Sequence, residues 1–472
     1  TTGANAPGGN LTVLGGSAVW QQANQLVDTA NVVVSGGAVN VAGFGDTVNG
    51  VQLTSGSISG TTGVLTSATV FDLQAGTVSA ILGGTAGVSK TGAGTVTLSG
   101  ANTYMGGTTI SGGILSVSTL ADGGSSSNIG VSSNAAANLV LDGGTLQYTG
   151  SGHSTDRLFT LTQNGGMLDA SGTGALNLTN TGSVAFSGSG ARTLTLTGSN
   201  TGQNTLTAVL GDGTGGATSL TKSNTGTWVL SGANTYTGLT TVSAGTLVLT
   251  GGSALANAGV VNLSTSGADL TLNNGETIGS LTGVAGTTVT LGSNTLTTGD
   301  GSNTAFAGVI SGTGGALTKT GSGTFTLSGA NTYTGLTTVS AGTLAVTANN
   351  ALGTTAAGTT VATGATLDLQ NVSYSTTETV TLQSGATLAT STGTSSLAGG
   401  VTLTTAGTVE VSGTQLTLSG VVDEAATPST LTKTGMGTLV LAGPTTYTGG
   451  TTVSAGTVTR PSTTTLVTPG TP

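Results

Sequence analysis

The chain has 472 residues, of which 85 are glycine and 103 are threonine; charged residues make up 5%, aromatic residues 3%, and the formal net charge is −9. The absence of cysteine excludes a disulfide scaffold, and the lack of a strict glycine at every third position excludes collagen. Glycine and threonine are poor helix formers, abundant β-branched residues argue against disorder, and only seven lysines and arginines could neutralise phosphates. Helical, disordered and nucleic-acid-binding proteins are therefore disfavoured.

Residues 1–10 form a small, polar N-terminal lead. The lead has neither a basic nor an apolar stretch, so we expect a signal peptide to be missing or already removed. The window from Trp20 to Ala30 (WQQANQLVDTA) is the most helix-like of the chain, but its periodicity is weak. No apolar run approaches the roughly 18 residues that cross a bilayer, so we expect no membrane span.

Short stretches in which apolar and polar residues alternate recur along residues 11–460, for example TVTLSG, TLVLTG and TVEVSG. Alternation with period two predicts half-buried strands, and the glycine, serine and asparagine residues between them predict turns. The last segment, residues 461–472, is rich in proline and threonine. We predict a lead, a continuous β-solenoid over residues 11–460, and a C-terminal tail.

One segment recurs four times, at residues 90–117, 222–249, 319–346 and 433–458. In each copy a lysine precedes a tyrosine by fourteen residues: Lys90 and Tyr104, Lys222 and Tyr236, Lys319 and Tyr333, Lys433 and Tyr447. These are all the lysines of the chain and four of its six tyrosines. Internal repetition of this kind is typical of solenoids and related repeat architectures.

The small side chains favour a solenoid over a sandwich or a barrel. A sandwich core needs large side chains, whereas stacked coils bury only small ones between them. No proline lies between residues 8 and 427, and four of the six follow residue 440. Because proline cannot donate to a ladder, we predict unbroken pairing through this stretch, ending near the C-terminal prolines. At about 20 residues per coil the chain would make about 23 coils.

The segment LTKTGxGTxTLSGANTYTGxTTVSAGTL resembles the autotransporter-associated β-strand repeat, and the stretch from Asp156 to Leu230 is also similar to autotransporter passenger regions. The resemblance implies a single elongated right-handed parallel β-helix, secretion, and a role at the surface of a Gram-negative-type bacterium. It brings no catalytic residue with it. Autotransporters end in a membrane β-barrel, whereas this chain ends in TTTLVTPGTP, so we expect the barrel to be cut off or the secretion route to differ.

Few residues could carry chemistry. His153, the single histidine, could form a Ser-His-Asp relay with Asp156, but HSTDR is better interpreted as a polar loop at a coil corner. Asp423 and Glu424 are the only adjacent acidic pair, and Asp212 and Asp423 each precede a motif lysine by ten residues. These carboxylates could serve a glycosidase or a calcium site, but we expect no enzyme, no catalytic residue, no cofactor and no metal.

The four lysine and tyrosine pairs allow two interpretations. Identical residues on successive coils could present an array of cations and phenols to sugars or to a surface. The structural alternative, which we favour, is that each lysine caps a turn while each tyrosine packs its ring on the neighbouring coil and keeps its hydroxyl in water.

Three functions remain open. The first is a secreted structural subunit that associates end to end into a filament, with its tails inserting into neighbouring copies. The second is an adhesin-type passenger that binds a surface or a glycan. The third, an enzyme acting on polysaccharide, is the least favoured. We expect the partners to be further copies of the chain, and surface glycans in the second case.

Overall fold

The computed structural model describes residues 9–426 and 428–461. The chain divides into two compact units: unit 1 is Thr1–Leu239 with Gly245–Leu247, and unit 2 is Thr240–Ala244 with Val248–Pro472. Across the described residues, the only helical element is one short 3-10 turn at Ala136–Asn138. None of these residues belongs to a helix long and apolar enough to cross a membrane. Most of the predicted lead and tail lies outside the described residues.

The strands of unit 1 are β1 (Leu11–Val13), β2 (Ser17–Val19), β3 (Asn31–Asn40), β4 (Asp46–Val48), β5 (Gly50–Ser59), β6 (Val64–Ser67), β7 (Phe71–Leu73), β8 (Gly76–Val78), β9 (Ile81–Gly83), β10 (Val88–Lys90), β11 (Thr95–Leu98), β12 (Thr108–Ile110), β13 (Ile114–Val117), β14 (Leu139–Leu141), β15 (Thr145–Tyr148), β16 (Ser151–Thr155), β17 (Thr160–Thr162), β18 (Gly166–Ala170), β19 (Gly174–Leu178), β20 (Ala185–Ser187), β21 (Arg192–Thr197), β22 (Gln203–Leu206), β23 (Thr218–Lys222) and β24 (Thr227–Leu230).

The strands of unit 2 are β25 (Thr240–Val242), β26 (Gly245–Leu249, which holds residues of both units), β27 (Val260–Leu263), β28 (Ala268–Leu272), β29 (Glu276–Ile278), β30 (Ser280–Gly283), β31 (Thr288–Thr290), β32 (Thr295–Thr298), β33 (Thr304–Phe306), β34 (Val309–Ser311), β35 (Ala316–Lys319), β36 (Thr324–Leu327), β37 (Thr337–Val339), β38 (Thr343–Val346), β39 (Thr359–Val361), β40 (Thr366–Leu369), β41 (Ser373–Tyr374), β42 (Val380–Leu382), β43 (Ala386–Thr390), β44 (Thr394–Leu397), β45 (Val401–Leu403), β46 (Ala406–Val411), β47 (Gln415–Leu418), β48 (Val422–Glu424), β49 (Thr430–Thr434), β50 (Thr438–Leu441), β51 (Thr451–Val453) and β52 (Thr457–Thr459).

Strands pair in parallel with strands about one coil further along the chain. In unit 2, Thr318 pairs with Thr338, and Thr338 pairs with Thr360. The same pattern in unit 1 pairs Val96 with Leu115 and Leu115 with Leu146. Each unit is therefore a parallel β-solenoid, and the described strands make about 21 turns, close to the 23 expected. The predicted all-β solenoid is confirmed.

Alternate residues of each strand point inward and stack on their equivalents in the next coil. Phe325 and Leu327 of β36 are buried and pair in register with Leu344 and Val346 of β38, which are buried too. Each such side chain contributes about 1.5–3 kcal/mol by leaving water. The core is thus a thin stack of apolar side chains, as the composition predicts.

Outward positions of unit 2 form two columns of half-buried threonines. Column 1 runs along β32, β35, β37, β39, β42 and β45, and column 2 runs along β36, β38, β40, β43, β46 and β49. Their members are Thr297, Thr318, Thr338, Thr360, Thr381 and Thr402 in column 1, and Thr324, Thr343, Thr366, Thr387, Thr408 and Thr432 in column 2. Parallel pairing spaces the side chains of a column about 4.8 Å apart.

Two local features refine the sequence analysis. The segment from Trp20 to Ala30 is a loop, and its weak periodicity reflects the burial of Trp20, Leu26 and Ala30 rather than a helical face. Pairing continues past Pro428 and Pro444 to β52, which ends at Thr459 before Pro461. Pro444 lies in the turn before β51, where its carbonyl accepts a hydrogen bond from Val422 N at 2.9 Å.

Candidate functional site

Of the two residues considered for a catalytic relay, Asp156 holds a loop in place. His153 is half-buried on β16, and Asp156 follows that strand. Both carboxylate oxygens of Asp156 accept hydrogen bonds at 2.8 Å, one from Gly123 N and the other from Asn134 Nδ2. The carboxylate is therefore committed to a neighbouring loop and does not orient the imidazole, which supports the structural interpretation.

The carboxylates that precede motif lysines also connect backbone segments. Asp212 accepts hydrogen bonds from Thr218 N at 2.7 Å and from the Thr237 hydroxyl at 2.7 Å. Near the fourth copy the neighbouring Glu424, rather than Asp423, takes this role and accepts from Ser429 N and from the Thr448 hydroxyl, both at 2.7 Å. Each carboxylate thereby connects the backbone at the start of the lysine-bearing strand to the threonine that follows the motif tyrosine. Among residues 9–426 and 428–461 no group of three or more His, Asp or Glu residues could hold a metal ion.

Each motif lysine is buried, with at most 1% of its surface exposed, and its ammonium group binds backbone carbonyls. Lys319 Nζ donates to Thr320 O at 2.5 Å and Gly321 O at 3.0 Å in its own turn, and to Ala341 O at 3.1 Å in the next coil. Lys90 and Lys433 bind carbonyls at the same three relative positions, which are Thr91, Gly92 and Gly112, and Thr434, Gly435 and Ala455. The lysine closes its own turn and fastens it to the following coil.

Burial sets the protonation behaviour of these lysines. It disfavours the charged form and lowers the pKa of Lys222 to about 8 and the pKa of Lys90 and Lys319 by a smaller amount, which Asp72 and Asp300 respectively oppose. The ammonium is compensated by carbonyl oxygens, and no side of it faces solvent. The lysines of the repeats therefore do not form an array of cations that is open to sugars.

Three of the four motif tyrosines, Tyr104, Tyr236 and Tyr333, are buried, whereas Tyr447 is half-buried. Tyr104 OH shares a hydrogen bond with Thr108 Oγ1 at 2.7 Å, and Tyr333 OH shares one with Thr337 Oγ1 at 2.6 Å. Burial raises the pKa of both phenols. The expected packing of the ring is confirmed for these two copies, but the expectation that the hydroxyl stays in water is wrong, because a threonine four residues later replaces the water.

An asparagine two residues before the tyrosine links three successive coils. Asn331 Oδ1 accepts from Ile310 N at 2.8 Å, while its Nδ2 donates to Ala351 O at 2.5 Å. In the first copy Asn102 makes the same bonds with Leu82 N and Asn128 O, at 2.8 and 2.6 Å. Since these asparagines are 0–2% exposed, their amides substitute for the backbone pairing that the turn interrupts.

A loop after the motif then covers the tyrosine. In the third copy this loop is residues 347–358, and Gly353 (φ +91°) contacts Tyr333, whose carbonyl accepts from Thr354 N at 3.0 Å. The next coil anchors the loop, because Leu352 N donates to Tyr374 OH at 3.0 Å. The sequence singled out none of these loop residues. The sequence feature that could have identified them is their position directly after a motif copy.

Charged groups provide the same kind of anchor elsewhere in the chain. Glu276 accepts from Leu255 N at 2.9 Å, and Asp46 accepts from Leu26 N at 3.1 Å. In the first copy Arg157 donates to Ser132 O at 2.8 Å and to Gly130 O at 3.0 Å. Buried charges are tolerated here because the backbone of an otherwise exposed loop compensates them.

Glu378 is a buried carboxyl beside the third covering loop. One oxygen accepts from the Thr359 hydroxyl at 2.6 Å, the other has no partner in the described residues, and the side chain is 0% exposed. Burial raises the pKa of Glu378 to about 7, and the bond from Thr359 opposes the rise.

We expect the stability contributed by Glu378 to be present at pH 4–5 and lost as the pH rises through about 7. The folded state binds this proton more tightly than the unfolded chain, so the free energy of unfolding falls by about 2–3 kcal/mol over that window. Urea unfolding at pH 5 and at pH 8 measures this decrease in the free energy of unfolding. Glu378→Gln should remove most of this difference, while Glu410→Gln at an exposed position should leave it; an unchanged difference in E378Q would contradict the assignment.

Comparison with known proteins agrees with these repeats. The model of the passenger-associated-transport-repeat family matches residues 88–117, 220–249, 317–346 and 431–459, each of which contains the lysine, the asparagine or its threonine replacement, and the tyrosine described above. The adhesin BmaC autotransporter of Brucella suis biovar 1 (strain 1330) is 38% identical over 353 residues, a match that covers 72% of this chain and 9% of that protein. The chain is an autotransporter passenger region with repeats.

The passenger region therefore belongs to a secreted or cell-surface protein of a Gram-negative bacterium. It spans only 9% of the length of the adhesin that it matches. No solved structure matches the chain. The matched repeats coincide with the network of lysine, asparagine and tyrosine residues described above.

Proposed function

We propose that this passenger region serves adhesion as a rigid, non-enzymatic β-solenoid whose outer faces contact a surface or a glycan. The observation that carries the proposal is its 38% identity to an autotransporter adhesin over most of the chain. The distribution of polar groups supports it. Chemistry-bearing side chains are committed to loops and turns, whereas the outward positions of unit 2 carry two columns of threonine.

Protease resistance fits a role outside the cell. Six of the seven lysines and arginines are buried, with at most 3% of their surface exposed, and the seventh, Arg460, precedes Pro461. We expect the folded passenger region to survive trypsin at concentrations that digest it within minutes after it has been unfolded in urea and diluted. Met436→Lys, at an 82% exposed turn residue, should introduce a single rapid cut that gel electrophoresis detects. Rapid cleavage of the unmutated chain would contradict the burial of these side chains.

Adhesion is tested by displaying the passenger region on beads and counting the beads retained on matrix proteins and on a glycan array. Thr338→Lys with Thr381→Lys changes column 1, and Thr343→Lys with Thr387→Lys is the matched change in column 2. We expect one pair to reduce retention at least tenfold while the other leaves it unchanged. Beads that bind no surface, or that bind equally well with both pairs changed, would overturn the proposal.

The end-to-end filament stays a prediction. The described residues at the C-terminal end of unit 2 include Thr451–Val453, which are exposed, and Val453 is 49% exposed. Such an end fits a further coil of any origin, so it does not favour self-association over continuation of one polypeptide. Negative-stain microscopy of the purified chain at high concentration distinguishes filaments from single particles.

A further inference from the structure

The covering loop of the third copy, residues 347–358, is fastened near its start by a segment of the next coil. We name this segment, residues 373–379, the strap. Ser375 N of the strap donates to Asn349 Oδ1 of the loop at 2.9 Å, and this bond adds to the one that Tyr374 OH accepts from the loop. The strap therefore holds the first half of the loop through two adjacent residues.

Glu378 fastens the other end of the loop through one hydrogen bond. Its Oε1 accepts from the hydroxyl of Thr359, the first residue after the loop, at 2.6 Å. Its Oε2 is buried and has no partner among the described residues, and the same holds for the hydroxyl of Thr354 within the loop. A buried carboxyl with one bond and one unfilled oxygen is stable there only while it carries a proton, because the charged form pays the full cost of desolvation.

No cation compensates Glu378 from the described segments packed around it. Its carboxyl contacts Thr359 in the preceding coil, and its backbone carbonyl lies against Gly399 in the following coil. The only other titratable side chains of these segments are Tyr333 and Tyr374, and burial raises the pKa of both phenols, so they stay neutral. The segments are residues 329–337, 347–361, 373–379 and 395–401. An ionised Glu378 would therefore be buried without a counter-charge.

The anchors of the first and second covering loops are better compensated. Glu276 accepts from two backbone N–H groups, and these bonds oppose the rise that burial causes in its pKa. Arg157 donates to carbonyls of the first loop, among them Ala121 O, Ser132 O and Gly130 O, and a guanidinium does not titrate below about pH 12. Glu378 is the anchor whose surroundings favour its neutral form.

We propose that the strap is a pH-sensitive device that keeps the third covering loop closed while Glu378 is protonated and releases it when Glu378 ionises. The proton passes to solvent, and the carboxylate gains water only if the strap moves away from the loop. Release uncovers Tyr333 and Leu352, which are at most 1% exposed in the closed form. The inference goes beyond a general loss of stability at high pH, because the opening is confined to one loop and its strap.

Hydrogen exchange of the full chain at pH 5 and at pH 8 tests the device. With rates corrected for the pH dependence of the exchange chemistry, protection of residues 347–358 and 373–379 should fall at least about twentyfold between the two values. Glu378→Gln keeps the volume and cannot ionise, so its protection should change little. The first covering loop, residues 118–138, is the internal control and should keep its protection in both proteins.

Thr359→Val distinguishes titration from a purely structural role. The substitution keeps the shape of the side chain but removes the bond that favours the ionised carboxylate. The pH at which the loop opens should therefore rise in T359V. A loss of protection that is equal at pH 5 and at pH 8 would mean that Thr359 only packs the loop, and would overturn the device.

Thiol labelling gives a second measurement, since the chain contains no cysteine. Ala351 in the third loop and Ala254 at the equivalent place in the second loop are both 0% exposed. Relative to the same chain unfolded in urea at pH 8, Ala351→Cys should be labelled at least about tenfold faster with Glu378 than in E378Q. Ala254→Cys should be labelled equally slowly in both backgrounds. Equal labelling of A351C in the two backgrounds, or equal pH dependence of exchange with and without E378Q, would overturn the proposal.

Discussion

Lys319→Met should lower the free energy of unfolding of the coils around it by about 3 kcal/mol. Methionine keeps the length and most of the volume of the lysine stem, so packing is largely preserved. The carbonyls of Thr320, Gly321 and Ala341 lose the donor that they share, and each buried acceptor left without a partner costs about 1 kcal/mol or more. Removal of the buried charge itself raises the free energy of unfolding. Removal of one partner from a compensated buried group nevertheless usually lowers it overall.

Hydrogen exchange of residues 316–346 is the appropriate measurement, because a solenoid opens locally and its global transition need not be two-state. Both tryptophans, Trp20 and Trp228, lie in unit 1, so their fluorescence does not report on this region. The matched control is Thr318→Met, next to Lys319 on the same strand but pointing outward, for which we expect a change within about 0.5 kcal/mol. An equally small effect for K319M would show that the lysine is not a structural clamp.

The fold was predictable because the solenoid repeats one rule many times. Alternation of apolar and polar residues sets which side chains point inward, and small residues suit stacked coils, so composition and period were enough. The prolines were a weaker guide. Proline disturbs a ladder only where an N–H would donate, and Pro444 lies in a turn where its carbonyl is the group that pairs. The ladder therefore continues past it.

The roles of the motif residues were only partly predictable. A lysine that recurs fourteen residues before a tyrosine indicates a common environment for the pair. Whether the tyrosine is buried, however, depends on which loop folds over it. Gly353 and Leu352 cover Tyr333 from a segment about 20 residues away, and no local pattern encodes that return. The same limit applies to Asp156, whose partners Gly123 and Asn134 lie in a loop that precedes it by more than 20 residues.

The network has a consequence for function. Lysine and asparagine hydrogen-bond to neighbouring coils and the tyrosine packs under the loop that follows, so the recurring residues act where turns interrupt backbone pairing. These internal contacts occupy their side chains, so the repeats can be alike in every copy without presenting a common binding site for a ligand. The faces between the turns are free to vary, and they are where the proposed adhesion would be encoded.

Gly329→Ala should be the most destabilising single substitution in the motif, by at least about 3 kcal/mol. A Cβ built at this position would lie 1.8 Å from Gly308 O in the preceding coil, and the obstacle is backbone, which cannot rotate away. The same glycine of the fourth copy, Gly443, would place its Cβ 2.0 Å from Gly420 O. The motif glycine is therefore required by the close approach of two coils, and insertion of a methyl group must separate them.

Gly364→Ala separates this cause from backbone strain. Gly364 has φ +75°, a conformation that costs alanine about 1 kcal/mol, but no atom lies within 4 Å of its Cβ position. We expect G364A to lose about that amount and G329A to lose several times more, with exchange accelerated on both sides of the contact, in residues 304–311 and 324–331. Equal losses of stability in the two variants would mean that the coils separate easily. That result would contradict the inference that tight stacking makes the solenoid rigid.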